Sequence, residues 1–117
     1  MFRVGELTFG IVICYDSTFP EPARAMAAQG ATALFVPTNN GLPIKRAYPG
    51  LVQEARASDC ARALENGVWV IRADVAGTNG DLMSYGSSAI VDPNGKVVQE
   101  ANLQTKHLLV AEAIDPH

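Results

Sequence analysis

The sequence predicts an α/β domain: a sheet carrying two helices on one face, followed by a late hairpin. Three observations lead there. Apolar runs rich in β-branched residues recur at 9–13, 32–36 and 68–71. Between them lie two stretches, 19–29 and 50–66, whose apolar residues recur at helical spacing. Strand, helix, strand, helix, strand implies parallel strands joined by right-handed crossovers. After these units comes Asp92-Pro93-Asn94-Gly95, a strong hairpin turn signal. With 117 residues, 1–117 is expected to form a single domain. A chain of this mass buries about two-thirds of its surface on folding, enough for a core.

Each element has its own justification. Phe2-Arg3-Val4 and Leu7-Thr8-Phe9 flank Gly5-Glu6, which reads as a hairpin or tight bend entering the next strand. The run 9–13 is unbroken in its apolarity, the pattern of a strand buried on both faces. It ends on Cys14. Thr18-x-x-Glu21 then has the form of a capping box, with Pro20 in the first turn where its lack of an N–H costs nothing. The helix over 19–29 presents Phe19, Ala23, Met26 and Ala27 on one face, and Gly30 follows as its stop. A second buried strand covers 32–36. Residues 38–49 form a long polar connection leaving the same end of the sheet as Cys14. Over 50–66, Ala57, Cys60, Ala61 and Leu64 make an i, i+3, i+4, i+7 stripe that is expected to face the core. Arg56, Asp59, Arg62 and Glu65 fall on another face, where i, i+3 pairs are worth only a few tenths of a kcal/mol. The third strand covers 68–71, a turn-rich loop 76–81, short strands 87–91 and 96–99, and a last strand 107–114 before Asp115-Pro116.

Composition narrows the function. Nine basic against twelve acidic residues give a net charge of −3, and Lys45-Arg46 is the one adjacent basic pair. That argues against nucleic acid and against a polybasic membrane anchor. No apolar run reaches transmembrane length and no signal-peptide pattern is present, so a cytoplasmic, reduced protein is expected. Cys14 and Cys60 lie in different elements, away from His107 and His117, so no metal site is expected.

Cys14 stands where a buried strand ends and a helix is about to begin. In open α/β sheets that is the end at which ligands bind. By placement alone it is as readily a small buried hydrophobe. Cys60, inside a helical apolar stripe, reads as a core residue. Thr38, Asn39 and Asn40, at the start of the long connection, carry the hydroxyl and amide groups that orient a substrate amide.

Ile13-Cys14-Tyr15-Asp16-x-x-Phe19-Pro20-Glu21 resembles the nucleophile segment of the carbon–nitrogen hydrolase (nitrilase) superfamily. Three further segments resemble that family in order and spacing: Phe35-Val36-Pro37-Thr38-Asn39-Asn40, 62–70, and Gly86-x-Ser88-x-Ile90-x-Asp92-Pro93-x-Gly95. The resemblance implies the C-terminal half of a four-layer α-β-β-α sandwich, with no cofactor. It assigns the nucleophile to Cys14 and an oxyanion-stabilising donor to the backbone N–H of Tyr15. It also implies a small amide as substrate, since Tyr15-Asp16 is the amidase-type form. The family's catalytic Glu and Lys precede its Cys. Here Glu6 is the one carboxylate before Cys14, in a turn, and no Lys precedes it. Asp74, where relatives often carry Asn, and Ser87, where many carry His, are smaller departures.

Two expectations follow. One is an amidase-type hydrolase half whose family reaction is amide hydrolysis through a thioester at Cys14, largely inactive alone or acting as one piece of a split enzyme. The other is a non-catalytic assembly or interaction module. In either case a homo-oligomer is expected, through 19–29 and 50–66 as in the family, and through the sheet face left without its second layer.

Overall fold

The structure, a computed structural model, describes residues 2–5, 7–13, 19–38, 42–43, 50–74, 76–79, 82–85 and 88–100. Cys14, Tyr15, Asn39, Asn40 and the strand expected over 107–114 lie outside the described residues. The elements in chain order are β1 (Phe2–Val4), β2 (Leu7–Ile11), α1 (Pro20–Ala28), β3 (Ala33–Thr38), β4 (Leu42–Pro43) and α2 (Gly50–Asn66). They continue with β5 (Trp69–Asp74), β6 (Ala76–Asn79), β7 (Leu82–Tyr85), β8 (Ala89–Val91) and β9 (Val97–Glu100). None of the described helices is long and apolar enough to cross a membrane.

Six strands form one sheet in the order β1-β2-β3-β5-β8-β9. β2, β3 and β5 are parallel, as the two crossovers require, and β1, β8 and β9 join antiparallel. Gly5, at φ 59°, closes the β1–β2 hairpin. The late hairpin also forms: Asp92 Oδ1 accepts from the backbone N–H groups of Asn94 and Lys96, at 2.9 and 3.0 Å, which folds the turn between β8 and β9.

Both helices lie on one face of this sheet. Ala23 of α1 and Ala63 of α2 meet Val12, Leu34, Val36, Val70 and Val91 in a single buried cluster. The strand residues alternate, as a pleat demands. α1 stops at Gly30 by a Schellman arrangement, with the Gly30 N–H on the Ala27 carbonyl and the Ala31 N–H on the Met26 carbonyl. Gly10 is set by close packing: a Cβ there would collide with the Met26 side chain of α1.

Several expectations are corrected. The strand entering Cys14 is buried on one face only. Gly10 and Val12 are buried, whereas Ile11 and Ile13 are 37% and 64% exposed, because the helices cover one side. α1 begins after Phe19, which stands at the N-cap with no side-chain cap, and Glu21 pairs instead with Arg24 one turn on. Phe19 itself is exposed. β5 runs on past Ile71 to Asp74. The connection 38–49 contains β4, which pairs with β7, and the loop expected over 76–81 is largely β6, paired antiparallel with β7.

The largest correction concerns α2. The expected core stripe is turned partly outward: Ala57 is exposed and Leu64 is 65% exposed, while Cys60 and Ala61 are half-buried. Asp59 and Ala63 are instead the buried positions, with Arg56 and Arg62 tucked beside them. The polar face of the helix is thus the one that meets the sheet.

Candidate functional site

The carboxyl ends of β2, β3 and β5 lie side by side. β3 and β5 run in register to their last residues, Thr38 opposite Asp74. Beyond β2, the Val12 N–H bonds to the Phe35 carbonyl at 2.9 Å, carrying the parallel pairing toward the next residues. The described segment stops at Ile13, one residue before Cys14 in sequence.

Thr38 is 6% exposed. Its hydroxyl donates to the Val36 carbonyl at 3.1 Å and accepts from Arg72 Nη1 at 2.9 Å. Arg72 projects from β5 on the helix-facing side, two residues beyond Val70. Its remaining two edge nitrogens grip Asp59 of α2: Nε to Oδ2 at 2.8 Å and Nη2 to Oδ1 at 2.7 Å. The Asp59 and Arg72 side chains are 1% and 3% exposed, which makes this a buried, bidentate pair. Asp59 also receives Arg56 Nη1 at 3.4 Å, and Arg56 Nε reaches the exposed Glu100 of β9 at 3.3 Å. A chain of charge therefore runs from a sheet edge, under α2, to the end of β3. On the other side, the Asp74 N–H bonds to Ser88 Oγ at 2.8 Å, fastening β8 to the same end of β5.

Of the site residues expected from the sequence, Thr38 alone is described, and its described neighbours in this network are Arg72 and Asp59. These two were missed. A signal was available: alternation along 68–72 puts Arg72 on the side of Val70, and an arginine on a buried strand face needs a partner. Cys60 packs beside the core. Burial pushes its thiol up from the ordinary value, and the neighbouring Asp59 carboxylate adds to this while Arg56 opposes it. It is a poor nucleophile.

Between helices and sheet, a cavity of about 10 Å³ is lined by Val12, Ala23, Leu34, Val36, Asp59, Arg62 and Val70. That volume is at the lower limit for one water, so the interface is packed rather than a ligand pocket. Among the described residues, no three of His, Cys, Asp and Glu stand together as metal ligands.

A parallel α/β sheet with a loop cluster at its carboxyl end defines the general class. The carbon-nitrogen hydrolase family profile matches residues 1–116, and the chain belongs to that family. A nitrilase from Pyrococcus abyssi is 34% identical over 113 residues, covering 96% of this chain and 39% of its own length. N-carbamoylputrescine amidase from Oryza sativa subsp. japonica is 32% identical over 119 residues, covering 95% of this chain and 40% of its own. The chain thus spans about two-fifths of the length of these curated relatives. The fold agrees: a carbon-nitrogen hydrolase from Helicobacter pylori G27 superposes with a TM-score of 0.78 at 25% identity, over 87% of this chain and 39% of that one. A mutant amidase from Nesterenkonia sp. AN1 superposes with a TM-score of 0.73 at 31% identity, over 88% of this chain and 38% of that one. In that amidase, acrylamide has undergone Michael addition at the active-site cysteine.

Proposed function

We propose that this chain carries the nucleophile segment of an amidase-type carbon–nitrogen hydrolase acting on a small amide, with no cofactor. The Cys14 sulfur bonds to the amide carbonyl carbon. The C–N bond then breaks, and ammonia or an amine leaves with a proton. Water attacks the resulting thioester and releases the acid, returning the thiol. The Tyr15 backbone N–H donates to the oxyanion, and Thr38, Asn39 and Asn40 orient the amide. The observation that carries this reading is the family match over 1–116, which includes the Ile13-Cys14-Tyr15-Asp16 segment directly after β2. A reduced cytoplasm suits a free thiol nucleophile.

No residue of this sequence matches the family's catalytic Glu and Lys upstream of the cysteine. The chain by itself therefore forms an adduct but turns over little, its rate limited by the thiolate fraction of a few per cent at neutral pH. The other half of the family's sandwich, on a longer or a separate chain, would supply both groups. The test is incubation with acrylamide, followed by peptide mapping. Modification of Cys14 well ahead of Cys60 is expected; equal labelling, or labelling of Cys60 first, would refute the assignment.

A second reading, a non-catalytic assembly module, is favoured by the exposed apolar side chains on the sheet face away from the helices. Association of copies through that face, and through 19–29 and 50–66, is expected in either case. Light scattering across a concentration series checks it: a monomer throughout defeats it.

A further inference from the structure

The reaction outlined above leaves Asp59 and Arg72 without a task. Stability alone is a weak reason for them, since a buried ion pair gains little over well-packed apolar residues of the same volume. Their geometry is more informative. The Asp59 carboxylate occupies Nε and Nη2 of a planar guanidinium, which fixes its orientation and leaves Nη1 aimed at Thr38. An arginine can only donate. The Thr38 oxygen must therefore accept there, and its one proton goes to the Val36 carbonyl. What this hydroxyl has left is a single acceptor lone pair.

We propose that the Asp59–Arg72 pair is a positioning device that locks the Thr38 hydroxyl as a hydrogen-bond acceptor, and so selects substrates that present an N–H, amides, over esters, which have none. The inference rests on the amidase reading and deepens it. Thr38 is the specificity-determining residue; Asp59 and Arg72 act through it. Without Arg72 Nη1, the hydroxyl rotates freely and serves either partner.

The test compares two alkenes on the whole chain, acrylamide and methyl acrylate. Both add to a thiol without a leaving group: sulfur bonds to the terminal carbon, and a proton ends on the adjacent one. The rate ratio at Cys14, divided by the same ratio for free cysteine, reports preference for the N–H. Thr38→Ser should keep the wild-type ratio. Thr38→Val and Arg72→Lys should each lower it by about three- to tenfold, the worth of one neutral hydrogen bond. The double variant should be no lower than Thr38→Val alone, because Arg72 works through the hydroxyl. Ratios unchanged in Thr38→Val and Arg72→Lys, whatever their melting temperatures, would overturn the positioning role while leaving the amidase reading intact. Failure of wild-type Cys14 to label ahead of Cys60 would overturn both.

Discussion

The two faces of the six-stranded sheet are built from the same strands, yet they are treated differently. On the helix-covered face, Val12, Leu34, Val36 and Val70 are at most 3% exposed, and a charged pair is sunk among them. On the opposite face, Ile11, Phe35, Ile71 and Ile90 line up across four strands by register. Phe2 stacks on Phe9 at 5.5 Å, and Phe9 meets Phe35 edge-on at 5.1 Å. Yet Phe2, Val4 and Ile13 of this apolar side remain 53%, 66% and 64% exposed. The polar groups are buried and the hydrocarbon is in water, the reverse of a simple partition. The difference teaches that burial follows which layer is present, and that a polar group is tolerated inside when each of its bonds is met.

The comparison can be broken most forcefully at Asp59. Asp59→Ala strands the Arg72 guanidinium in the core and should cost about 3–5 kcal/mol, a large part of the stability of an ordinary domain, as read by urea denaturation. The double replacement Asp59→Leu with Arg72→Met should recover most of that loss, because both charges go together. A double variant as unstable as the single one would show that the network does more than neutralise itself.

Next comes the approach of α1 to β2. Gly10→Ala forces Met26 aside and should cost about 1–3 kcal/mol, with Met26→Ala in the same chain relieving the clash. The open face predicts the opposite sensitivity. Val4→Thr or Ile13→Ser should change unfolding free energy by less than about 0.5 kcal/mol, as solvent-exposed substitutions do. A larger loss, or a fall in oligomer mass, would mean that this face is covered in solution.

The smallest effect is one of pH. Burial raises the Cys60 thiol above its ordinary value of 9.0, so the fold favours the protonated form. The sign follows: this contribution is complete below 9.0 and fades as pH rises through the higher folded-state value. A Cys60→Ala variant should therefore lose less stability than the parent chain as pH climbs above that point, which thermal melts across the alkaline range would show.

The legible parts of this fold are those set by local chemistry. Gly5 and Gly30 stop or turn the chain because positive φ costs glycine little, and Asp92-Pro93-Asn94-Gly95 folds on itself through its own Asx bonds. The alternation of apolar runs with helical spacing placed β2, α1, β3, α2 and β5 in order, and the crossover rule made the three strands parallel. Cys14 was singled out by its position after a strand and by a motif. What misled was the helical stripe of Ala57, Cys60, Ala61 and Leu64. Its periodicity is real, but it does not say which side of α2 will meet the sheet.

The sequence by itself therefore determined the order of elements, the hairpins and the family, since these depend on neighbours along the chain and on the turn preferences of a few residues. The tertiary structure decided which faces are covered. Asp59 becomes an inward residue only because Arg72, thirteen positions later on another element, arrives opposite it with a matching fork. Such a partnership has no signature in local spacing. It exists because a charge in a low-dielectric interior must find its counter-charge wherever the fold delivers one.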